Sequence, residues 1–106
     1  MTLDRMFHAL ADGTRRAMIE RLVRSPATVS DLARPFDMSL PAVVQHLAVL
    51  EAAGLVTSQK IGRVRTVQLA PEALTAAGTW IGEQRIPAER QLDRLGELLS
   101  PTPEMS

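Results

Sequence analysis

The stretch MSLPAVVQHLAVLEAAGLV, residues 38–56, contains the helix on which the interpretation of this chain depends. Gln45 lies on the predicted outer face of this helix, and His46 lies on one flank. The helix therefore presents an amide and an imidazole on a surface that is otherwise apolar, and the rest of the sequence must explain what they contact. Its inward stripe recurs with helical spacing and is predicted to be buried: Val43, Leu47 and Leu50.

Capping residues predict that this helix is the second of a close pair. In the preceding segment TVSDLARPF, Thr28 is a candidate N-cap and Pro35 closes a short helix. Ser39 caps the next helix, which runs to about Ala53, where Gly54 supplies the left-handed residue that ends it. Two short helices joined by a tight turn, the second carrying outward polar residues, make a helix-turn-helix candidate.

Two amphipathic helices are predicted before this motif. The first covers residues 2–10, and the second follows the N-cap residue Asp12. The first helix places four residues on one apolar face: Leu3, Met6, Phe7 and Leu10. The second is predicted to face inward at Ala17, Met18, Leu22 and Val23.

The residues after the second helix of the pair predict a β-hairpin with a basic tip. Side chains alternate over residues 56–60 and again over residues 64–69, with a turn at Ile61-Gly62-Arg63. A helix-turn-helix followed by a two-stranded wing is the winged-helix arrangement. The predicted fold class is therefore mainly α with a small β-hairpin.

A last helical pattern follows the hairpin and begins at Pro71. Pro87 interrupts the pattern, and because proline inside a helix costs about 3 kcal/mol, a kink or a break is expected near Ile86. The tail SPTPEMS is predicted to be disordered. The apolar positions of this helix are Leu74, Ala77, Ile81, Ala88, Leu92, Leu95 and Leu99.

Composition indicates one cytoplasmic domain without cysteine chemistry. The chain has 106 residues, 45% of them hydrophobic, and no cysteine, so disulfides and thiolate sites are excluded. No signal peptide or membrane span is expected. Residues 1–70 hold nine Lys or Arg against six Asp or Glu, a balance of +3, whereas residues 71–106 hold three against six, −3. A basic front and an acidic back fit a protein that presents one face to an anion, although ordinary solvated charge explains the imbalance equally well.

Neither catalysis nor metal binding is supported by the remaining polar residues. The two histidines, His8 and His46, lie on different predicted helices, and no serine lies in a nucleophile-elbow context. No glycine-rich phosphate loop is present, and Asp31 and Asp37 are interpreted as a cap and a turn residue. We expect no enzyme activity, no cofactor and no metal site.

Binding to double-stranded DNA explains the polar residues that are left. The major groove admits one α-helix, whose side chains read base edges, so Gln45 and His46 are predicted to face DNA. The basic wing residues Lys60, Arg63 and Arg65 are predicted to grip the flanking backbone or to enter the minor groove. The alternative is a winged-helix module for protein–protein contacts, which predicts no steep salt dependence of DNA binding.

The combined motifs resemble the ArsR/SmtB winged-helix repressors over nearly the whole folded length. FHALADGTRRAMIERL is similar to their N-terminal signature, with Gly13 where proline is usual, and VSDLARPFDMSLPAVVQHLAVLEAAGLV is similar to their helix-turn-helix. KIGRVRTVQL resembles their wing, and TAAGTWIGEQR with LDRLGELL resembles their last helix. Many relatives have serine where this chain has Val44, and a basic residue where it has Gln45. An apolar Val44 suits a thymine methyl, and Gln45 suits adenine.

The resemblance implies a homodimer that represses by occupying an inverted-repeat operator. It implies a winged-helix domain over residues 1–99, with dimerisation helices over about 1–10 and 71–99. The family's metal-sensing cysteines and late histidines are absent, and PFDMSLPAV resembles a branch without known metal sites, so any effector is an unidentified small molecule or protein. The recognition positions that it implies are Ser39, Leu40, Pro41, Val44, Gln45 and His46. The expected dimer interface comprises Leu3, Met6, Phe7, Leu74, Trp80, Ile81, Leu92, Leu95 and Leu99.

Overall fold

The computed structural model describes residues 2–84 and confirms a mainly helical winged helix-turn-helix. The predicted apolar positions Leu92, Leu95 and Leu99, and the expected kink at Pro87, lie outside the described residues. The elements in chain order are α1 Leu3–Leu10, α2 Gly13–Arg24, β1 Ala27–Thr28, α3 Val29–Ala33, α4 Leu40–Ala52, β2 Val56–Ile61, β3 Val64–Leu69 and α5 Pro71–Glu83.

Side-chain caps begin the first four helices. Asp12 Oδ2 accepts from the backbone N–H of Arg15 at 3.0 Å. Thr28 and Ser39 act in the same way at the starts of α3 and α4, at 3.1 Å and 3.3 Å. Thr2 caps α1. Each cap satisfies one backbone N–H that the first turn of a helix leaves unpaired. The predicted caps at Asp12, Thr28 and Ser39 are therefore confirmed, and they set where the helices begin.

The sheet has three strands, one more than the predicted hairpin. β2 and β3 pair antiparallel, and β1 pairs antiparallel with β3 through Ala27–Val67 and Thr28–Thr66, giving the order β1-β3-β2. The two-residue β1 was not predicted, because alternation needs a longer run and because Thr28 also caps α3. The turn is tighter than predicted, since Ile61 remains in β2, paired with Val64 across the strands.

One core fills the space between the helices and the sheet. The predicted stripe of α4 is confirmed: Val43 and Leu50 are 0% exposed and Leu47 is 3% exposed. On α2 the prediction for Val23 is wrong, since it is 61% exposed, while Ile19 is buried. Successive helical residues are about 100° apart around the axis, so Val23 points away from the direction of its neighbour Leu22, whereas Ile19 lies closer to it.

Some apolar residues of α1 and α5 are buried in this core, and others remain exposed on the surface. Met6 is 2% exposed and belongs to the core of its own chain, so its prediction as a dimer-interface residue is corrected. Leu3 and Leu74 are partly buried against that core. Trp80 and Ile81 remain exposed on α5, at 43% and 56%. Apolar surface for a partner therefore remains near the end of α5, not at Met6.

Candidate nucleic-acid interface

The N-terminal half of α4 presents a largely apolar outer face. Ser39, Leu40, Pro41, Val44 and Gln45 are all exposed, because the buried stripe holds the opposite side of the helix against the core. Leu40 is 49% exposed and Val44 is 37% exposed, unusually open for such side chains. The structure thus groups five of the six predicted recognition residues on one surface, with the Gln45 amide as its hydrogen-bonding side chain beyond the cap.

His46 is the sixth predicted recognition residue, and its side chain is largely turned toward the α1–α2 corner. Its Nδ1 lies 3.4 Å from Arg15 Nη1 and 3.9 Å from Asp12 Oδ2, and its side chain is 23% exposed. Because arginine only donates, Nδ1 must accept in the contact with Arg15, whereas the pairing with Asp12 needs a proton on Nδ1, so this nitrogen has a partner inside the protein in either form. His46 therefore faces DNA at most through its other nitrogen.

Arg15 joins three elements behind the recognition helix. Its Nε donates to the carbonyl of Ala9 at 2.7 Å and its Nη2 to the carbonyl of His8 at 3.3 Å, both in the last turn of α1. The backbone N–H of Arg15 is the main reason that the pKa of Asp12 lies below its ordinary value of 3.8. Partial desolvation opposes this shift, while the positive charge of Arg15 and the coulombic effect of His46 support it. Sequence reasoning missed this role of Arg15, because its partners are distant in sequence.

The wing carries two exposed basic residues near its tip. Lys60 and Arg63 are both exposed, and Gly62 has a φ of 62°. A glycine of positive φ at the first of two central residues is typical of a type II′ turn, which matches the twist of the strands. On either side of the turn, Ile61 and Val64 are 72% and 53% exposed. The tip is thus basic with an apolar cross-strand pair behind it.

Arg65, the third predicted wing residue, is tied to α4. Its Nη2 lies 3.1 Å from Glu51 Oε1, and its Nε and Nη2 donate to Ser58 Oγ at 3.1 Å and 3.0 Å. Ser58 Oγ in turn donates to Glu51 Oε2 at 3.3 Å. We name these three residues the wing clamp. Sequence reasoning missed Glu51 and Ser58, although a lone carboxylate at the end of an otherwise apolar helix, followed by a hairpin with basic residues, is a signal for such a tie.

A cleft brings the start of α4 and the wing onto the same surface. It has a volume of about 270 Å³ and lies between the first turn of α3, the first residue of α4 and the strand after the wing tip. The exposed face of α4 and the basic tip of the wing therefore form one continuous candidate DNA interface. The lining residues are Thr28, Val29, Ser30, Leu40, Arg63, Val64 and Arg65.

Apolar surface also remains where α1 meets α5. The rings of Phe7 and Trp80 pack edge to face, with centroids 5.7 Å apart and an angle of 61° between planes. Trp80 nevertheless stays 43% exposed, and Ile81 beside it is 56% exposed. Exposed aromatic and aliphatic residues next to each other on a small domain suit burial by a second polypeptide.

The described residues contain neither a metal-binding cluster nor a helix suited to span a membrane. Within residues 2–84, no group of three or more His, Cys, Asp or Glu side chains is arranged to hold a metal ion. Over the same range, the helices are too short or too polar to cross a membrane.

The chain is similar to known transcriptional regulators. A family model described as a helix-turn-helix domain matches residues 10–59. The HTH-type transcriptional regulator Rv2034 of Mycobacterium tuberculosis is 51% identical over 76 residues, which are 72% of this chain and 71% of that protein.

Solved structures show the same likeness. The crystal structure of the ArsR family transcriptional regulator RHA00566 is 51% identical, with a TM-score of 0.74 over 77% of this chain and 84% of that one. A homodimeric winged helix-turn-helix DNA-binding domain from Mycobacterium bovis, Mb0332, is 22% identical, with a TM-score of 0.65 over 77% of this chain and 79% of that one. At this identity, the similarity to Mb0332 shows only that the two proteins share a fold.

Proposed function

The chain belongs to the ArsR family of winged helix-turn-helix transcriptional regulators, and we propose that it is a homodimeric repressor that inserts α4 into the major groove of an inverted-repeat operator. The observation that carries this proposal is the exposed face of α4, which lies beside the basic wing tip on one surface. A helix of this size fits the major groove, and a helix-turn-helix places the first half of its second helix there.

Sequence reading is assigned to Gln45, Val44 and Leu40. An amide on the outer face of α4 suits a bidentate contact with adenine N6 and N7. Val44 and Leu40 are exposed apolar residues, which suit the C5-methyl group of thymine. The chemistry of this face therefore favours a half-site with A·T pairs at its centre. Ser39 and Pro41 border the first turn, where the helix dipole and backbone N–H groups attract a phosphate.

The wing supplies affinity more than sequence selection. Lys60 and Arg63 are exposed at its tip and suit the phosphates beside the half-site or the narrow minor groove. His46 is assigned a supporting contact, since only its Nε2 remains to meet a group on DNA. Because phosphate contacts release counterions, binding should weaken steeply as salt rises. A protein-interaction module of the same fold would not show this dependence.

Dimerisation is assigned to the α1–α5 side of the molecule. Trp80 and Ile81 supply exposed apolar surface, Phe7, Leu3 and Leu74 are partly buried, and the sequence predicts that the apolar pattern continues to Leu92, Leu95 and Leu99. A two-fold axis through this side would present two copies of α4 to one face of a duplex, about one helical turn apart. The protein would act in the cytoplasm as a regulator without catalytic activity, and an effector other than a metal at the family's usual sites would release it from DNA.

Binding titrations that separate base recognition from phosphate contacts test the proposal. On a bound duplex, Gln45→Ala should lose about 1–3 kcal/mol of discrimination at one base position of each half-site. Arg63→Ala, the matched control on the wing, should weaken all sequences alike and flatten the salt slope by about one counterion per wing if its partner is a phosphate. Unchanged base preference in Gln45→Ala, or equal binding to unrelated duplexes by the wild type, would contradict the assigned reading face.

A further inference from the structure

The wing clamp lies where the hairpin leaves the body of the protein. On β3, the residues paired with β1 are Val67 and Thr66, and Arg65 is the next residue toward the tip. Beyond Thr66, the hairpin is a two-stranded ribbon, which by itself holds its orientation poorly. The Arg65 guanidinium reaches from this point to Glu51 in the last turns of α4. The clamp therefore extends the anchorage of the wing past the end of β1.

We infer that Arg65 is a positioning residue that sets the angle between the wing and the recognition helix through Glu51, and that it does not contact DNA. The inference rests on the proposed DNA-binding function. It assigns Arg65 a different role from that of its neighbour Arg63, although both are arginines of one wing and both were predicted to grip DNA.

The hydrogen bonds of the clamp support this assignment. Two donor nitrogens of Arg65 are already engaged, Nε with Ser58 and Nη2 with both Ser58 and Glu51, all between 3.0 Å and 3.1 Å. A phosphate contact through Nε or Nη2 would have to replace charge-assisted bonds that are already well placed, and only Nη1 remains for another partner. Arg63 is exposed at the tip, where it meets a phosphate without breaking an ion pair.

Charge balance supports the same assignment. Glu51 is a carboxylate on the helix that approaches DNA, and alone it would repel the phosphates. Arg65 neutralises it, so the pair adds little net field to the interface, while Lys60 and Arg63 remain as net positive charges. The clamp connects α4 directly to the wing, since Glu51 lies on α4 and Ser58 and Arg65 lie on the two strands of the wing.

A charge exchange tests whether the pair positions the wing. Arg65→Glu and Glu51→Arg each place like charges in contact, and Arg65→Glu should weaken binding of the selected operator about tenfold. The double variant restores an ion pair at the same place and should return to within about threefold of the wild type. If Arg65 contacts a phosphate, the double variant should stay as weak as Arg65→Glu alone, which would overturn the inference. Arg63→Glu is the matched control, and adding Glu51→Arg should not rescue it.

A measurement without DNA keeps this inference separate from the proposed function. Amide hydrogen exchange of the wing should be faster by several-fold in each single exchange variant and should return to the wild-type rate in the double variant. Arg63→Glu should leave the rates unchanged. Unaltered exchange in Arg65→Glu would overturn the inference even where DNA binding is intact. Restored exchange rates in a protein that binds no DNA would instead refute the proposed function alone.

Discussion

Arg15 and Arg16 are neighbours on α2, so the contribution of the Arg15 contacts to the free energy of unfolding can be measured with Arg16 as the control. Arg15→Met keeps most of the aliphatic stem and removes the donors that reach Ala9, His8 and His46. Arg16→Met removes the same chemistry one residue later, where Nη1 donates to the carbonyl of Leu10 at 2.7 Å. Both arginines donate to carbonyls at the end of α1, and they differ in the burial of these bonds and in the two longer contacts that Arg15 makes with His8 and His46.

The expected loss follows from the lengths of these bonds and from their exposure. The partly buried bond from Arg15 to Ala9 is 2.7 Å long, and bonds of this kind to a charged group contribute about 1.5–3 kcal/mol. The contacts with His8 and His46, at 3.3 Å and 3.4 Å, add only a small amount. We expect Arg15→Met to lower the free energy of unfolding by about 2–3 kcal/mol. The bond from Arg16 is exposed to water, so Arg16→Met should lose about 0.5 kcal/mol.

Urea unfolding at one fixed protein concentration measures both losses. The concentration must be fixed because a dimer gains apparent stability from association. With a slope of about 1–3 kcal/mol per molar urea, Arg15→Met should move the midpoint by roughly 1 M at an unchanged slope. Equal midpoint shifts for the two variants would refute the argument that burial gives the Arg15 contacts their value.

Three further outcomes follow from the structure. The lowered pKa of Asp12 means that its contribution is full above pH 3.8 and is lost as pH falls through the lower folded value, so urea midpoints of wild type and Asp12→Asn should converge in acid. Trp80→Ala removes the exposed ring that packs on Phe7, and sedimentation should show a larger monomer fraction at equal concentration, whereas an unchanged fraction would place the dimer interface elsewhere. Replacing operator thymines by uracil should weaken the wild type more than Val44→Ala, which keeps only the methyl contact of Leu40, and equal losses would remove Val44 from the reading face.

Local signals in the sequence were enough to predict most of the fold. The caps at Asp12, Thr28 and Ser39 depend on residues within one turn, and the structure confirms each of them. The hairpin is likewise specified by neighbouring residues. β1 was missed because its partner, β3, lies far along the chain and because two residues carry no periodic pattern. Tertiary pairing, not local preference, makes this segment a strand.

The sequence predicted which residues of the candidate site are exposed, but not which of them contact other elements. The outer face of α4 follows from the helical period, which places Gln45 opposite the buried stripe. The ties of His46 and Arg65 join residues that are 31 and 14 positions apart, and no pattern within one element reports such contacts. Periodicity also cannot distinguish an apolar residue of the chain's own core, such as Met6, from one that stays exposed on the surface, such as Trp80.

Selection of bound duplexes from a random DNA pool by the purified full chain shows whether two copies of α4 read one operator. We expect one enriched inverted repeat, with half-site centres about one helical turn apart and A·T pairs at the positions that face Gln45 and Val44. Repeating the selection with Gln45→Ala should relax one position in each half-site and leave the spacing unchanged. A pool with no enriched sequence, or a single half-site without a symmetric partner, would contradict the claim that two copies of α4 read this operator.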